Sequence, residues 1–138
     1  MALQWNDAYS VQIDTIDHQH QRLFRIINEL GLAAEQGKAK EALRGALVEL
    51  IDYTKEHFAT EEELFRKHGY PQTAAHKKEH DAFVDKVSEF KERFDQGKLT
   101  LTVEVRLFLS DWLVNHIKKS DRQYSAFLLA AGVPAHAG

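Results

Sequence analysis

Residues 76–94 read HKKEHDAFVDKVSEFKERF, and this stretch decides the fold. Its apolar residues recur at intervals of three and four, the spacing that places side chains on one face of an α-helix. The same face begins with two imidazoles, His76 and His80. Histidine fills an apolar seam poorly, because a buried ring nitrogen needs a partner. The spacing therefore predicts a helix that faces the core. Its first two inward residues, His76 and His80, must either form hydrogen bonds or bind a ligand. The apolar members of the seam are Phe83, Val87, Phe90 and Phe94.

Three more segments with helical periodicity accompany this stretch, and glycine and proline separate them at Gly37, residues 69–71 and Gly97. No segment alternates apolar and polar residues with the period of two that is typical of a β-strand. Short connections between long helices favour antiparallel neighbours. The sequence therefore predicts a single all-α domain, residues 1–138, folded as an up-down-up-down antiparallel four-helix bundle with an N-terminal arm. The predicted helices cover residues 16–36, 39–68, 73–96 and 102–131.

The composition narrows the classes of partner. The formal net charge is −3 and there is no long basic run, so the sequence offers no positively charged region that would bind nucleic acid. Because the chain contains no cysteine, a metal site would have to use nitrogen and oxygen ligands. The N-terminus lacks the features of a signal peptide, and no apolar run has the length of a membrane span. We therefore expect a cytoplasmic protein without membrane insertion. Separately, we expect a monomer.

Residues of the kind that bind metals occupy inward positions on all four predicted helices. Helix two resembles helix three, because His57 and Glu61 continue a row of leucines at the same spacing. At about 1.5 Å per residue, the inward polar groups lie at a similar height near one end of the bundle. A single inward histidine is most often satisfied by one hydrogen bond, but so many groups at one level would destabilise a core that lacked a cation. The candidate ligands are His20, His57, Glu61, His76, His80, His116 and Asp121.

Asp121 is the one candidate that does not fit α-helical spacing. It follows His116 by five residues, which rotates it by about 140° around an α-helix. We therefore expect either an approach from a neighbouring face or an adjustment of the helix at this point. The other three histidines are predicted to be solvated, because His18 shares the polar side of helix one, His68 lies at a helix end and His136 lies in the tail.

Several acidic residues close to the candidate ligands are interpreted as ordinary surface charges. Of the run at residues 61–63, only Glu61 is in register, so Glu62 and Glu63 are assigned to the surface. The stretch HKKEH also matches the H-x-x-E-H signature of a class of zinc proteases, in which Glu79 would be the base. This match leaves the candidate ligands on the other helices unexplained, so we interpret Glu79 as incidental.

The number and type of the ligands favour two octahedral ions over one ion. Five imidazoles exceed the needs of one tetrahedral zinc ion, and two carboxylates commonly bridge a pair of close cations. Imidazole with carboxylate suits iron, and manganese, copper and zinc also accept this combination. With one bridging oxygen, these ligands fill all but one of the positions on two ions. The open position predicts a single small ligand, and the excess of imidazole over carboxylate favours reversible oxygen binding.

Four motifs resemble the hemerythrin family, and the single-domain length resembles the bacteriohemerythrins. In chain order they are DHQHQRLF at 17–24, HFATEE at 57–62, HKKEHDAF at 76–83 and WLVNHIKKSD at 112–121. The resemblance covers nearly the whole chain. It implies a non-haem centre of two iron ions, as Fe2+ or Fe3+, joined by an oxo or hydroxo bridge. Such a centre would bind O2 reversibly for oxygen carriage, storage or delivery.

The resemblance also implies a role for each candidate ligand. Three histidines would hold an iron ion that has no free position, and two would hold the ion with the open position. The two carboxylates would bridge. The first set is His76, His80 and His116, the second is His20 and His57, and the bridging residues are Glu61 and Asp121.

The resemblance further implies an apolar oxygen pocket, which would keep water away from bound oxygen. Tyr124, three residues after Asp121, would support the centre. We expect no enzymatic activity and O2 as the partner, with an O2-consuming enzyme as one candidate recipient. Sensing of O2, nitric oxide or redox state, iron storage and peroxidase-like activity are alternative uses of the same centre. The pocket positions are Leu23, Phe58, Trp112, Leu113 and Ile117.

Overall fold

The computed structural model describes residues 3–37, 40–97 and 103–133, which form a bundle of four long helices. Helices α1, α2 and α3 are followed by a fourth helix in three consecutive parts, which are α4, a π-helical segment and α5. Among the described residues there is no strand, and the predicted all-α four-helix bundle is confirmed. The bounds are Asp14–Glu35 for α1, Lys40–His68 for α2, Thr73–Asp95 for α3, Val103–His116 for α4, Ile117–Asp121 for the π-helical segment and Arg122–Ala130 for α5.

The observed bounds differ from the predicted ones by at most about two residues wherever both are described. The predicted starts at residues 39 and 102 lie outside the described residues. The π-helical segment lies between His116 and Arg122, where an adjustment of the helix is one of the two expected solutions for Asp121. Within the described part of the chain, no helix combines the length and the apolar character needed to cross a membrane.

The reversal between α2 and α3 depends on local backbone chemistry. Gly69 adopts a φ of +68°, a left-handed conformation that costs glycine little, and it ends α2. The Tyr70 N–H then donates to the Phe65 carbonyl at 3.0 Å, which satisfies a helix-end acceptor. Pro71 cannot continue a helical ladder. The chain therefore turns back, and the inward faces of α2 and α3 pack against each other.

Two apolar clusters lie on either side of a layer of buried polar residues. Along α1, for example, His20 lies between Ile16 of one cluster and Leu23 of the other. We call the larger one the main cluster; it consists of Leu23, Phe24, Ile26, Ile27, Leu30, Leu47, Leu50, Ile51, Phe58, Phe83, Val87, Phe90, Phe94, Leu109, Leu113 and Ile117. The end cluster consists of Val11, Ile13, Ile16, Phe65, Tyr70, Tyr124 and Leu128.

The predicted N-terminal arm packs against α1. The Trp5 and Tyr9 rings lie 5.5 and 5.2 Å from the Phe24 ring, centroid to centroid and edge to face. The Val11 N–H donates to the Asp17 carboxylate at 2.8 Å. These contacts fix the arm beside the first turns of α1, close to the polar layer.

Candidate metal centre

Every predicted metal ligand lies in the buried polar layer. The side chains come from all four long helices, and His20, Glu61 and Asp121 have no exposed surface. Burial of so many titratable groups is unfavourable unless charge and hydrogen-bonding capacity are shared. The structure brings together His20 from α1, His57 and Glu61 from α2, His76 and His80 from α3, and His116 and Asp121 from the fourth helix.

The Asp121 carboxylate lies between histidines of three helices. Its Oδ1 is 3.0 Å from His76 Nε2 and 3.1 Å from His116 Nε2. Its Oδ2 is 2.9 Å from His20 Nε2. The two oxygens therefore face different histidines, as a carboxylate that bridges two cations requires.

The Glu61 carboxylate occupies a corresponding position between α2 and α3. Its Oε1 lies 3.1 Å from His57 Nε2 and 3.3 Å from His80 Nε2. His57 and His80 belong to different predicted halves of the centre. Glu61 is thus also placed to serve both halves.

Two sets of four ligand atoms emerge from this arrangement, and within each set all atoms lie within 4.8 Å of one another. We call the first set the three-histidine end and the second the two-histidine end. Glu61 belongs to both. The three-histidine end consists of Glu61, His76, His80 and His116, and the two-histidine end consists of His20, His57, Glu61 and Asp121.

The unsatisfied atoms of this layer show that it suits metal ions. The Nε2 atoms of all five inward histidines and both oxygens of Glu61 and Asp121 are buried without a hydrogen-bond partner among the described residues. Each such atom costs about 1–3 kcal/mol in a folded protein unless something binds it. Neutral imidazole nitrogens with two carboxylates are a ligand set that iron accepts. The residues therefore fit a centre of two metal ions, with Glu61 and Asp121 between them.

The π-helical segment resolves the spacing of Asp121. Over Ile117–Asp121 the helix widens, so that hydrogen bonds link residues five apart instead of four. The wider turn returns Asp121 to the face that carries His116, and their side chains approach to 3.1 Å. Of the two expected solutions, the structure shows an adjustment of the helix. π-Helical turns inside α-helices occur frequently at functional sites.

In the absence of metal, the electrostatics hold a proton near the carboxylates. Burial by itself would lower the pKa of His116, but Asp121 and the other nearby carboxylates outweigh it and raise that pKa to about 9. Burial would raise the pKa of Asp121, yet the facing histidines, His116 foremost, hold it well below its ordinary value. Metal ions that bind here must therefore displace a proton from His116.

Two acidic residues that the sequence assigned to other roles lie behind the histidines. His80 Nδ1 is 2.9 Å from Glu62, and His116 Nδ1 is 2.8 Å from Glu79. The Ser120 hydroxyl donates to the same Glu79 oxygen at 2.6 Å. The side chains of Glu62 and Glu79 reach solvent, 27% and 49% exposed, but their contacts with the histidines show that neither is incidental to the centre. Because Nε2 of each ring points into the bundle, Nδ1 points outward, where a neighbouring carboxylate can accept a hydrogen bond from it.

In the sequence, each partner is next to a candidate ligand, since Glu62 follows Glu61 and Glu79 precedes His80. Adjacent residues on a helix do not face each other, so this adjacency does not identify which histidine each one contacts. Glu63, by contrast, pairs with Arg66 on the surface, as predicted.

Behind the two-histidine end the partners are neutral. His57 Nδ1 lies 2.6 Å from the side-chain oxygen of Gln19, whose amide donates to the Thr60 hydroxyl at 3.3 Å. Gln19 therefore fixes the orientation of the His57 ring without adding charge. His20 Nδ1 is buried and has no hydrogen-bond partner among the described residues.

Aromatic rings press against the histidines on the side of the main cluster. Phe58 stacks in parallel on His80, with ring centroids 3.7 Å apart, and the half-buried Trp112 stacks on His116 at 4.5 Å. These rings cover one face of each imidazole with apolar surface. Of the remaining positions predicted for the oxygen pocket, all are buried members of the main cluster, namely Leu23, Leu113 and Ile117.

Tyr124 lies on the opposite side, in the end cluster, and is fully buried. Its ring contacts His76 edge to face, with centroids 5.3 Å apart. Burial and the nearby Glu61 and Asp121 carboxylates raise the pKa of the Tyr124 hydroxyl well above its ordinary value. Tyr124 thus stays protonated beside the carboxylates.

Comparison with known proteins accounts for this geometry. Residues 11–128 match the family model described as the hemerythrin HHE cation binding domain. The chain belongs to the hemerythrin family. Bacteriohemerythrin from Stenotrophomonas maltophilia is 41% identical over 123 residues, which cover 89% of this chain and 79% of that protein. Bacteriohemerythrin from Methylococcus capsulatus is 37% identical over 127 residues, covering 91% and 96%.

Solved hemerythrin structures agree with the fold. The crystal structure of wild-type hemerythrin superposes on this chain with a TM-score of 0.87 at 34% identity, covering 93% of this chain and 98% of that one. The predicted family is thereby confirmed. A hemerythrin domain implies a non-haem iron centre, and the bacteriohemerythrin relatives support a site for two iron ions in this hemerythrin.

Proposed function

We propose that this hemerythrin binds O2 reversibly at a centre of two iron ions and serves oxygen carriage, storage or delivery without catalytic activity of its own. The observation that carries the proposal is the unequal division of histidines. Three imidazoles share one end of the centre with Glu61, whereas the other end has two imidazoles and shares both carboxylates. If both octahedral ions share Glu61, Asp121 and one bridging oxygen, the three-histidine end would be full, and one position would be left for a small ligand at the two-histidine end.

The protein's own residues would orient and protect the centre. When bound, two iron ions would supply the electrons that O2 takes up on binding and gives back on release. Gln19, Glu62 and Glu79 hold imidazoles in place through Nδ1. The two carboxylates offset part of the positive charge that is buried with the metal.

Exclusion of water supports reversible binding over oxidation of a substrate. Phe58, Leu113 and Ile117 are each less than a tenth exposed and belong to the main cluster beside the histidines. A dry apolar lining disfavours the entry of water and protons that would remove reduced oxygen from the site. We therefore assign this lining to the oxygen pocket.

Iron content and a reversible visible spectrum test the proposal together. Reduced, iron-loaded protein is measured before oxygen, after oxygen and after oxygen has been removed, over several cycles. We expect about two iron ions per chain and a colour that appears with oxygen and fades without it. Loading with iron followed by a single irreversible oxidation would contradict reversible binding and would indicate an oxidase, a peroxidase or a sensor. Failure to retain iron would contradict the centre itself.

A further inference from the structure

Thr54 carries a buried hydroxyl that nothing in the described structure satisfies. Its side chain is only 2% exposed, and its Oγ1 has no hydrogen-bond partner among the described residues. A threonine in a helix ordinarily donates to the carbonyl four residues earlier. Thr60, in the same helix, does so, with its hydroxyl 3.1 Å from the Glu56 carbonyl. Thr54 makes no such bond.

Few buried polar side chains of the described structure lie outside the metal centre. Apart from the candidate metal ligands, the described polar residues that are fully buried are Thr54 and Ser125. Ser125 donates to the Arg122 carbonyl at 3.0 Å. The Tyr124 hydroxyl is likewise buried without a partner among the described residues, but it lies near the Glu61 and Asp121 carboxylates on the side of the end cluster. The polarity of Thr54, on the side of the main cluster, has no such explanation. A nonpolar side chain of the same shape would avoid the unfavourable burial of a lone hydroxyl.

The position of Thr54 connects it with the two-histidine end. It precedes His57 by three residues on the inward face of α2, where side chains are about 5–6 Å apart at Cβ. A helical histidine leans toward the N-terminus of its helix, which is the direction of Thr54. Toward the middle of the bundle, the next buried residues of α2 are Ile51, Leu50 and Leu47, which all belong to the main cluster. Thr54 thus contributes a hydroxyl at the border between His57 and the apolar lining.

We propose that the Thr54 hydroxyl hydrogen-bonds to the outer atom of a small ligand held at the two-histidine end. The ligand class is a diatomic molecule or small anion whose outer atom accepts a hydrogen bond. The inference rests on the proposed function only in placing the open position at this end. In a lining that is otherwise apolar, one hydroxyl would discriminate between such ligands and purely apolar ones of similar size.

Azide binding to the iron-loaded ferric protein tests the role of Thr54. Thr54→Val keeps the shape and removes the hydroxyl, whereas Thr54→Ser keeps the hydroxyl. We expect the azide dissociation constant, from spectroscopic titration, to rise about tenfold in Thr54→Val and to stay within about threefold in Thr54→Ser. The iron-free Thr54→Val protein should unfold at a temperature no lower than the unmodified chain, because it loses only an unpartnered hydroxyl.

Ser125→Ala is the matched control, because it removes a buried hydroxyl that is already bonded to the backbone. Its azide affinity should not change. Equal azide affinity in Thr54→Val and the unmodified protein would overturn the proposal, as would a loss of stability in iron-free Thr54→Val without a change in affinity. Azide titrates ferric protein whether or not oxygen binds reversibly, so a failure of the proposed oxygen function would be seen separately.

Discussion

The two ends of the metal centre use the same kinds of ligand but differ in what lies behind them. Carboxylates of Glu62 and Glu79 back two histidines of the three-histidine end. The neutral amide of Gln19 backs His57, and His20 has no described partner at Nδ1. A carboxylate behind an imidazole increases its basicity and fixes its orientation. Under the proposed function, the charged partners would hold the metal more firmly at one end, and the other end would receive the small ligand.

Removal of a shared carboxylate should have the largest effect, because it acts on both ends at once. Glu61→Ala leaves the buried histidines without one of the two negative charges between them. We expect the variant to lose nearly all bound iron, as measured by metal analysis of the purified protein. Glu63→Ala, two residues on and exposed, is the matched control and should retain its iron. Full iron content in Glu61→Ala would show that the shared carboxylate does not hold the metal.

Neutralisation of a carboxylate behind the three-histidine end should come next. Glu62→Gln and Glu79→Gln keep a hydrogen-bond acceptor for Nδ1 but remove the charge. We expect each to weaken iron retention about 10–100-fold in competition with a chelator.

Glu63→Gln provides the comparison, since it removes the same charge from the neighbouring surface position without touching a histidine. Equal weakening in all three variants would mean that net charge matters and that the contacts to His80 and His116 do not.

The pH dependence of stability should separate metal-free from metal-loaded protein. His116 is raised from an ordinary pKa of 6.5 to about 9 in the folded chain, so its proton stabilises the fold fully below pH 6.5. This contribution is lost as the pH rises through about 9. Thermal unfolding of metal-free protein from pH 6 to 10 should therefore show falling stability. Iron-loaded protein should not show this loss, because metal replaces the proton on His116. A parallel decline of stability in both forms would contradict the assignment of His116 as a metal ligand.

The smallest effect is expected where an extra imidazole lies outside the centre. His18 is exposed, whereas His20, two residues later on α1, has no exposed surface. His18→Ala should therefore leave iron content and the visible spectrum unchanged, whereas His20→Ala should disturb both. If the spectrum were lost in His18→Ala and kept in His20→Ala, then His18 would be the ligand and the assignment of His20 would be wrong.

Much of this arrangement follows from helical periodicity. Residues such as His57, Glu61 and His80 lie in inward rows because they continue the spacing of leucines and phenylalanines, so burial could be predicted from position. Asp121 could not be placed in this way, because periodicity assumes 3.6 residues per turn and the structure departs from that value locally. The four-helix architecture needed only the positions of the glycines and prolines that separate the helices.

The carboxylates that contact Nδ1 of the histidines could not be predicted from the inward rows. Glu62 and Glu79 are on outer rows, where a charged residue is ordinarily solvated, and only the direction of a ring nitrogen decides whether one is used. Thr54 shows the opposite case. It lies in an inward row that the sequence reveals, but only the hydrogen-bond geometry shows that its hydroxyl is unsatisfied.

The π-helical segment also constrains how this chain can change in length. Ile117–Asp121 contains one residue more than an α-helical turn would need to bring Asp121 back to the face of His116. A deletion of one residue between them would restore an ordinary helix and keep both side chains on one face. Because α5 continues directly from Asp121, it would keep its phase, and Tyr124 and Leu128 would stay in the end cluster. The segment can therefore lose one residue where the flanking α-helical turns cannot, since a deletion in those turns would rotate every later side chain by about 100°.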